Sequence, residues 1–467
     1  VRPVTIATTG LVEHGEPDPW AQAEADAQAQ SQRPGLLPEE FWSARDSFKR
    51  IRQAAHAQAR SADVLLYTVL ARLSGMVDHR IKMRTGIMGR GSLNLYVALV
   101  GAPGAGKSSG ASGARELMPQ GNPEFRDGIP LGSGEGVAEV FMGTVDEDTG
   151  EFHTSGKNKG DPITAKVRKQ VRHNAFFYVD EGERLTQLAG RQGSTLSETL
   201  RSAAMGETLG QTNASEDRNR YVAPGNYSLG LVISYQPTTV TKLLADGHTG
   251  TPQRFFWAWA EDPTIPFEAP DDPVPLVLDP SVQKAGGDID IQFPASIRDQ
   301  IRNERVRRAR GELEVAELDG HHRFMTAKLA ALLALLEGRF EVDEMDWKLA
   351  EMAWASSCAV RDSLARRALR EAEAAKDREA TEKIQLEVNA HRAKQTADMN
   401  GMRVAGAVAR HVAAAGPGGM TFNAIKMKLA SRDRHLIEDG IDLALTAGWV
   451  IDDGDRFCVG PEYANRS

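Results

Sequence analysis

From residue 38 to about 83, apolar positions recur at helix spacing: Phe41, Trp42, Phe48 and Ile51, then Val64, Leu65, Val69, Leu70 and Leu73. A glycine-rich bend follows, and residues 93–100 form an apolar run expected to be a short buried strand ending on a glycine-rich turn. Runs at 175–179, 229–234 and 255–260 predict three further strands, with a weaker one near 128–131. Strands alternating with helical stretches indicate an α/β core on a parallel sheet. Residues 261–295 are rich in prolines and acids and read as an extended connector. A helical region follows, to about 395. Its middle, 324–336, is apolar around most of its circumference and is expected inside a bundle. Its end, 361–395, is densely charged, which fits a solvated helix laced by charge pairs or a coiled-coil contact. Residues 1–37 carry Pro, Gln, Ala and Gly without periodicity and read as a flexible arm. The expected segments are therefore 1–37, 38–90, 91–262, 263–295, 296–398 and 399–467, with Asn400–Gly401 punctuating the last boundary.

Composition narrows the class. A 41% hydrophobic and 26% charged chain is that of a soluble globular protein, and 467 residues suffice for two to four domains. Cys358 and Cys458 supply neither a disulfide framework nor a zinc site, and their scarcity fits a reducing cytoplasm. No basic segment followed by an apolar core opens the sequence, so no secretory signal is expected. The apolar runs at 93–100 and 329–336 are too short to cross a bilayer, so no membrane partner is expected. With a formal charge of −8, a nucleic-acid partner would have to be held by a local basic surface.

Gly101-Ala102-Pro103-Gly104-Ala105-Gly106-Lys107-Ser108 matches the phosphate-loop pattern GxxxxGK[ST] in full, between a predicted strand and a predicted helix. Glycines let backbone N–H groups curl around phosphate oxygens, and the following helix, opening at Ser109, presents its amino end to the same anion. Lys107 is expected at the β- and γ-phosphates, with Ser108 on Mg²⁺. The strand Phe176-Phe177-Tyr178-Val179 ends in Asp180 and Glu181, at the sheet edge where open α/β folds bind ligands. Asp180 would hold the Mg²⁺ shell and Glu181 would polarise the attacking water. The expected cofactors are ATP and Mg²⁺.

With these motifs the chain resembles the AAA+ and RecA-type P-loop ATPases, especially the phage and mobile-element primase–helicase ATPases of actinobacterial genomes. Two weaker motifs carry the resemblance further: Leu231-Val232-Ile233-Ser234-Tyr235-Gln236-Pro237, and Gly250-Thr251-Pro252-Gln253-Arg254-Phe255 leading into the last core strand. The resemblance covers roughly residues 38–360. It implies that Gln236, or Ser234, senses the γ-phosphate or the lytic water; a polar residue capping the strand is the alternative. It implies that Arg254 is an arginine finger reaching a neighbouring subunit's nucleotide, with a strand-flanking salt bridge as the alternative. A finger would require a ring, expected to be hexameric. Arg323, ahead of His322 or Lys328, is the candidate lid-side contact to the nucleotide.

Two regions are candidates for DNA. Residues 152–173 carry Lys157, Lys159, Lys166, Arg168, Lys169 and Arg172 against Asp161, and read as a basic loop. A second hairpin is expected within 211–227, with Arg218, Arg220, Tyr221 and Tyr227. At the carboxyl end, helices at 403–415, 423–430 and 434–448, followed by a hairpin, are in winged-helix order. Lys426, Lys428, Arg432 and Arg434 cluster at the third helix, whereas Asp452, Asp453 and Asp455 make the wing tip acidic, so DNA and partner-protein docking both stay open. The expected function is an ATP-driven oligomeric motor on single-stranded or forked DNA, a helicase working with a separate primase or loader. The alternative is an ATP-dependent initiator or helicase-loader switch that binds without unwinding. A small-molecule kinase is disfavoured, because Asp180–Glu181 favours water as acceptor.

Overall fold

The computed structural model describes residues 35–465 apart from 88, 120–121, 191–193, 212–219 and 246–249. The arm expected over 1–37 lies almost wholly outside them, as does Arg218. The chain divides into two compact units, up to Ala368 and from Leu369 onward.

In the first unit, short helices α1 (Glu39–Ser43) and α2 (Asp46–Ala57) lead to α3 (Ala62–Met76). Ser61 caps α3 by accepting the Val64 N–H, and every residue of α3 is buried. The strands β1 (Ile81–Arg84) and β2 (Leu95–Val100) precede the phosphate loop and helix α4 (Ser109–Leu117). Next come β3 (Arg126–Ile129), α5 (Gly134–Glu139), β4 (Met142–Phe152), β5 (Pro162–Gln170) and β6 (Asn174–Val179). They are followed by α6 (Gly182–Ala189), α7 (Leu196–Met205), β7 (Leu209–Gln211), β8 (Arg220–Val222) and β9 (Ser228–Tyr235). Short α8 (Thr241–Ala245), β10 (Phe255–Trp259), α9 (Pro280–Gln283), β11 (Ile289–Gln292), α10 (Ala295–Ala309) and α11 (His322–Leu336) lead to α12 (Glu344–Ala414).

Five strands form the central sheet in the order β10-β2-β9-β6-β3, all parallel. Strands covered on both faces read as unbroken apolar runs, and β2 and β9 are buried at every position. Leu95, Val97, Leu99, Phe176, Val232 and Phe256 turn to one face, packed with α3, α11 and the start of α12. Tyr96, Ala98, Phe177, Leu231, Ile233 and Trp257 turn to the other, against α5 and α7. The fold is thus a mixed α/β, three-layered one. Helix α3 lies so close to the sheet that a Cβ on Gly230 would sit 1.8 Å from the Ala71 carbonyl oxygen, and one on Gly75 would sit 2.4 Å from that of Ala175.

Three expectations shift. The first strand begins at Leu95 because Asn94 is used as a clamp: its amide donates to Ala203 O (2.7 Å) and accepts from Leu229 N–H (2.9 Å). The basic loop expected over 152–173 is the tip and return strand of a long antiparallel hairpin, β4–β5. Both of its strands are largely exposed, so no apolar alternation announced them. The break expected at Asn400–Gly401 is absent, and α12 runs through it. Gly401 serves packing instead, since a Cβ there would meet Leu443 Cδ1 at 2.8 Å.

The second unit contains the end of α12, α13 (Phe422–Lys428), a 3-10 turn (Ser431–Leu436), α14 (Ile437–Thr446) and the hairpin of β12 (Val450–Asp452) with β13 (Phe457–Val459). Its separate core gathers Val404, Val408, Val412, Ile425, Ile437, Ile441 and Val450. Thr421 caps α13, and Arg403 grips Asp433 through two hydrogen bonds of 2.7 and 2.8 Å.

Candidate nucleotide site

All five central strands point one way, so their carboxyl ends share one edge. There the loop Gly101–Ser108 leaves β2, Asp180 and Glu181 leave β6, Gln236 leaves β9 and Glu261 follows β10. Because β9 lies between β2 and β6, its terminus falls between the loop and the acids. Gly104 and Gly106 adopt φ of 80° and 81°, the left-handed region that glycine enters without steric cost. Lys107 is folded onto the loop itself, its Nζ donating to Gly101 O at 2.7 Å and Ala102 O at 2.6 Å. Burial lowers its pKa, while Glu261 and Asp180 oppose that shift. Glu261 also accepts the Ala102 N–H at 3.3 Å. Ser109 Oγ donates to Gly106 O at 2.7 Å, closing the first turn of α4, and Ser108 is exposed.

Tyr178 ties the parts together. Its hydroxyl is 3.3 Å from Lys107 O, 3.3 Å from Ser234 Oγ and 3.4 Å from Asp180 Oδ1. Burial pushes its pKa up to about 12, so it remains a donor at neutral pH. Alternation along β6 sets Tyr178 and Asp180 on one face, a relation the i, i+2 rule makes readable in advance but which the acidic pair alone obscures. Tyr235 packs beside the acidic pair: its backbone carbonyl accepts the Gly101 N–H at 3.1 Å, and its ring fills the space where a Gly182 Cβ would lie, 2.3 Å away. Asp180, Glu181 and Gln236 are exposed, whereas Ser234 is buried.

Two predicted nucleotide residues are not brought to this edge. Arg254 precedes β10 and so sits at the amino edge, where it bonds Gly250 O. A five-residue strand at roughly 3.3 Å per residue separates it from the loop of its own chain. Arg323 is also at the amino edge. It is held by Glu304 and by Glu351 (2.7 Å) and lies over the Trp347 ring. One turn later Lys328 donates to Asn94 O, just before β2 begins. Two carboxylates hold the Arg323 guanidinium, a strand's length from the phosphate loop of its own chain.

The basic candidates divide too. Lys157 and Lys159 are exposed at the tip of the β4–β5 hairpin, beside exposed Phe152. Lys166 faces Asp146 across the ladder, Arg168 pairs with Glu139, and Lys169 pairs with Glu147. The expected excess of positive charge is thereby reduced, because β4 and the end of α5 supply the acids that the 152–173 window left out. Arg172 donates to Met142 O, and Arg220 pairs with Glu139. In the second unit Lys426, Lys428 and Arg432 are exposed, while Arg434 donates to Leu429 O and Met427 O at the end of α13.

Among the described residues no group of three or more His, Cys, Asp or Glu converges as a metal cage. Mg²⁺ does not need one: it keeps several waters and takes one or two protein oxygens plus substrate phosphates, which Ser108 and Asp180 suit. No described helix is long and apolar enough to cross a membrane.

No protein-family model matches this chain, and no curated protein matches it. Among solved structures, a full-length MCM homolog from Methanopyrus kandleri is similar at a TM-score of 0.35 and 12% identity. The match covers 74% of this chain and 63% of that one, under two thirds of its length. At this level the likeness establishes neither a family nor a role.

Proposed function

We propose that the carboxyl edge binds and hydrolyses ATP, on the observation that one strand order gathers the phosphate loop, Ser234–Gln236 and Asp180–Glu181 around the Tyr178 hydroxyl. Lys107 leaves the Gly101 and Ala102 carbonyls for the β- and γ-phosphates. Ser108 and Asp180 would hold Mg²⁺, which would supply charge neutralisation for the phosphates. Glu181, exposed and free of any ion pair among the described residues, orients and deprotonates the attacking water, and Gln236 reads the terminal phosphate.

The work done with that ATP, in this reading, is movement along DNA in a ring. The amino-edge position of Arg254 supports a finger acting on a neighbour's nucleotide, since its own loop is out of reach. Exposed Phe152, Lys157 and Lys159 at a hairpin tip suit a single strand, with stacking from the ring and charge from the lysines. The second unit reads as a winged helix with Lys426, Lys428 and Arg432 toward phosphates. A switch that binds without unwinding is favoured by two observations: Glu139 and Glu147 neutralise much of the hairpin, and Asp452, Asp453 and Asp455 are exposed on the wing.

ATP turnover with and without single-stranded DNA, together with strand displacement on a fork, separates the two. A motor shows stimulated turnover and displacement; turnover without displacement leaves the switch. Mixing Arg254→Ala with Glu181→Gln protein should restore some activity through composite sites, and no restoration would sink the ring.

A further inference from the structure

The amino edge of the sheet holds a cavity of about 500 Å³ that the nucleotide reading does not use. Lys82, on β1, lines it and is only 5% exposed. Among the described residues its ammonium has neither a hydrogen bond nor an ion pair, although its neighbours are well provided. Arg80 is held by Asp78 at 2.8 Å, and Arg90 by Asp288 at 2.9 Å and Asp290 at 2.5 Å. Ser92, 3% exposed, also lines the cavity. Its oxygen accepts the Asn94 N–H at 3.1 Å, which leaves its own proton for another acceptor. Burial and nearby Arg90 hold Lys82 down to about 8, a cost to its charged form that Asp78 and Asp288 only partly offset. An anion in the cavity would remove that cost.

The geometry points to a phosphate-group site in this cavity, with Lys82 supplying the charge and Ser92 a neutral donor. A phosphate offers several acceptor oxygens to the three ammonium protons and the hydroxyl, and Asp288 on the wall is already occupied by Arg90. The turn at Gly225–Asn226 closes the cavity beside Lys82, and the hairpin roots meet there. Gln170, at the end of β5, donates to Asn226 O at 2.7 Å, His173 shares that oxygen at 2.8 Å, and β8 runs into the turn. A strand followed by the two hairpins would therefore present a phosphodiester at this point; free phosphate or a phosphorylated metabolite is the other source of the same chemistry. The site does not rest on the ATPase reading.

The test uses the full chain with Lys107→Ala, so that the phosphate loop does not report. Inorganic phosphate should raise its melting temperature above that in chloride at matched ionic strength, and Lys82→Met should remove the shift. No shift, or a shift that survives Lys82→Met, overturns the site. Ser92→Ala, which only removes atoms, should weaken phosphate at least threefold and covers the case in which Lys82→Met fails to fold; unchanged phosphate binding by a folded Ser92→Ala protein counts against the site. Oligo(dT) anisotropy assigns the source. If the ligand is a strand, Lys82→Met lowers affinity and flattens the salt dependence by about 0.7 in the log–log slope. If phosphate is lost while oligo(dT) binding stands, the strand assignment falls.

Discussion

The two edges of the central sheet are built on opposite terms. At the carboxyl edge the side chains are exposed or held by bonds to their own loop: Asp180, Glu181 and Gln236 face solvent, and Lys107 rests on two carbonyls that it can exchange for phosphate oxygens. At the amino edge most polar groups are buried and satisfied, with Lys82 the exception. Asn94 clamps β9 to α7, Asn174 donates to the Gly75 and Val77 carbonyls at 2.8 Å each, and fully buried Lys328 spans Asn94 O and Ala204 O. The contrast separates chemistry from cohesion: substitutions at the first edge should change turnover with little effect on folding, and substitutions at the second, Arg254 with its proposed role on a neighbour's nucleotide excepted, should do the reverse.

The sharpest form of that contrast is Glu181→Gln. Removing a general base lowers turnover by about 10²–10⁴-fold. An exposed side chain with no partner in the fold should change stability by less than about 0.5 kcal/mol. ATP binding should persist, whereas Lys107→Ala should lose it. Steady-state hydrolysis beside denaturant titration checks both halves, and normal turnover by Glu181→Gln would remove its assigned role.

The edges should also answer pH in opposite directions. Asp63, in the first turn of α3 next to the carboxyl edge, is raised by burial to about 7, against the Leu37 N–H that it accepts. Its folded form holds a proton more tightly than the unfolded chain, so stability is full below about 4 and declines as pH rises to about 7. The loss is up to roughly 4 kcal/mol. His79 at the amino edge is lowered to about 4 by burial and by His173, on which it stacks. That contribution is present above about 6.5 and is lost as pH falls through 4. Asp63→Asn should flatten the first slope and raise stability at pH 8, and His79→Gln should flatten only the second. Identical pH profiles for the wild type and both variants would break the comparison.

Lys328→Met tests cohesion directly. It keeps the bulk of the side chain but strands the Asn94 and Ala204 carbonyls, which should cost about 3 kcal/mol in denaturant unfolding. Turnover per folded molecule should remain within a few-fold of wild type. A variant that unfolds normally but fails to hydrolyse ATP would show that the amino edge takes part in the chemistry.

The carboxyl edge was the more legible of the two in the sequence, for a physical reason. A phosphate loop and an acidic pair act through local backbone and a fixed spacing, so Gly101–Ser108 and Asp180–Glu181 announce themselves within a few residues. The amino edge is assembled from Asn94, Asn174, Arg254 and Lys328, which meet only after folding. Arg323 shows the consequence: its place at the start of an apolar helix suggested a phosphate contact, but Glu304 and Glu351, 19 residues before it and 28 after, decide its use. The β4–β5 hairpin was missed for another reason, since exposure of both faces leaves no period-2 pattern. Element order at the carboxyl end was readable because its helices each bury an apolar stripe.

Tyr178→Phe probes the narrowest part of the contrast, where a half-buried group belongs to the exposed edge. Its hydroxyl touches three partners at 3.3–3.4 Å, each a long bond, and two of them, Asp180 and Lys107 O, also have solvent or backbone alternatives. Removing the hydroxyl should therefore cost about 1 kcal/mol of stability, the ordinary net worth of a hydrogen bond. Phenylalanine keeps the ring in its place on β6, so Asp180 stays near its position and turnover should fall less than tenfold, through kcat more than through KM. A collapse as deep as that of Glu181→Gln would mean that the hydroxyl sets the reacting geometry itself, and the line between holding the fold and doing the chemistry would then run through Tyr178 rather than beside it.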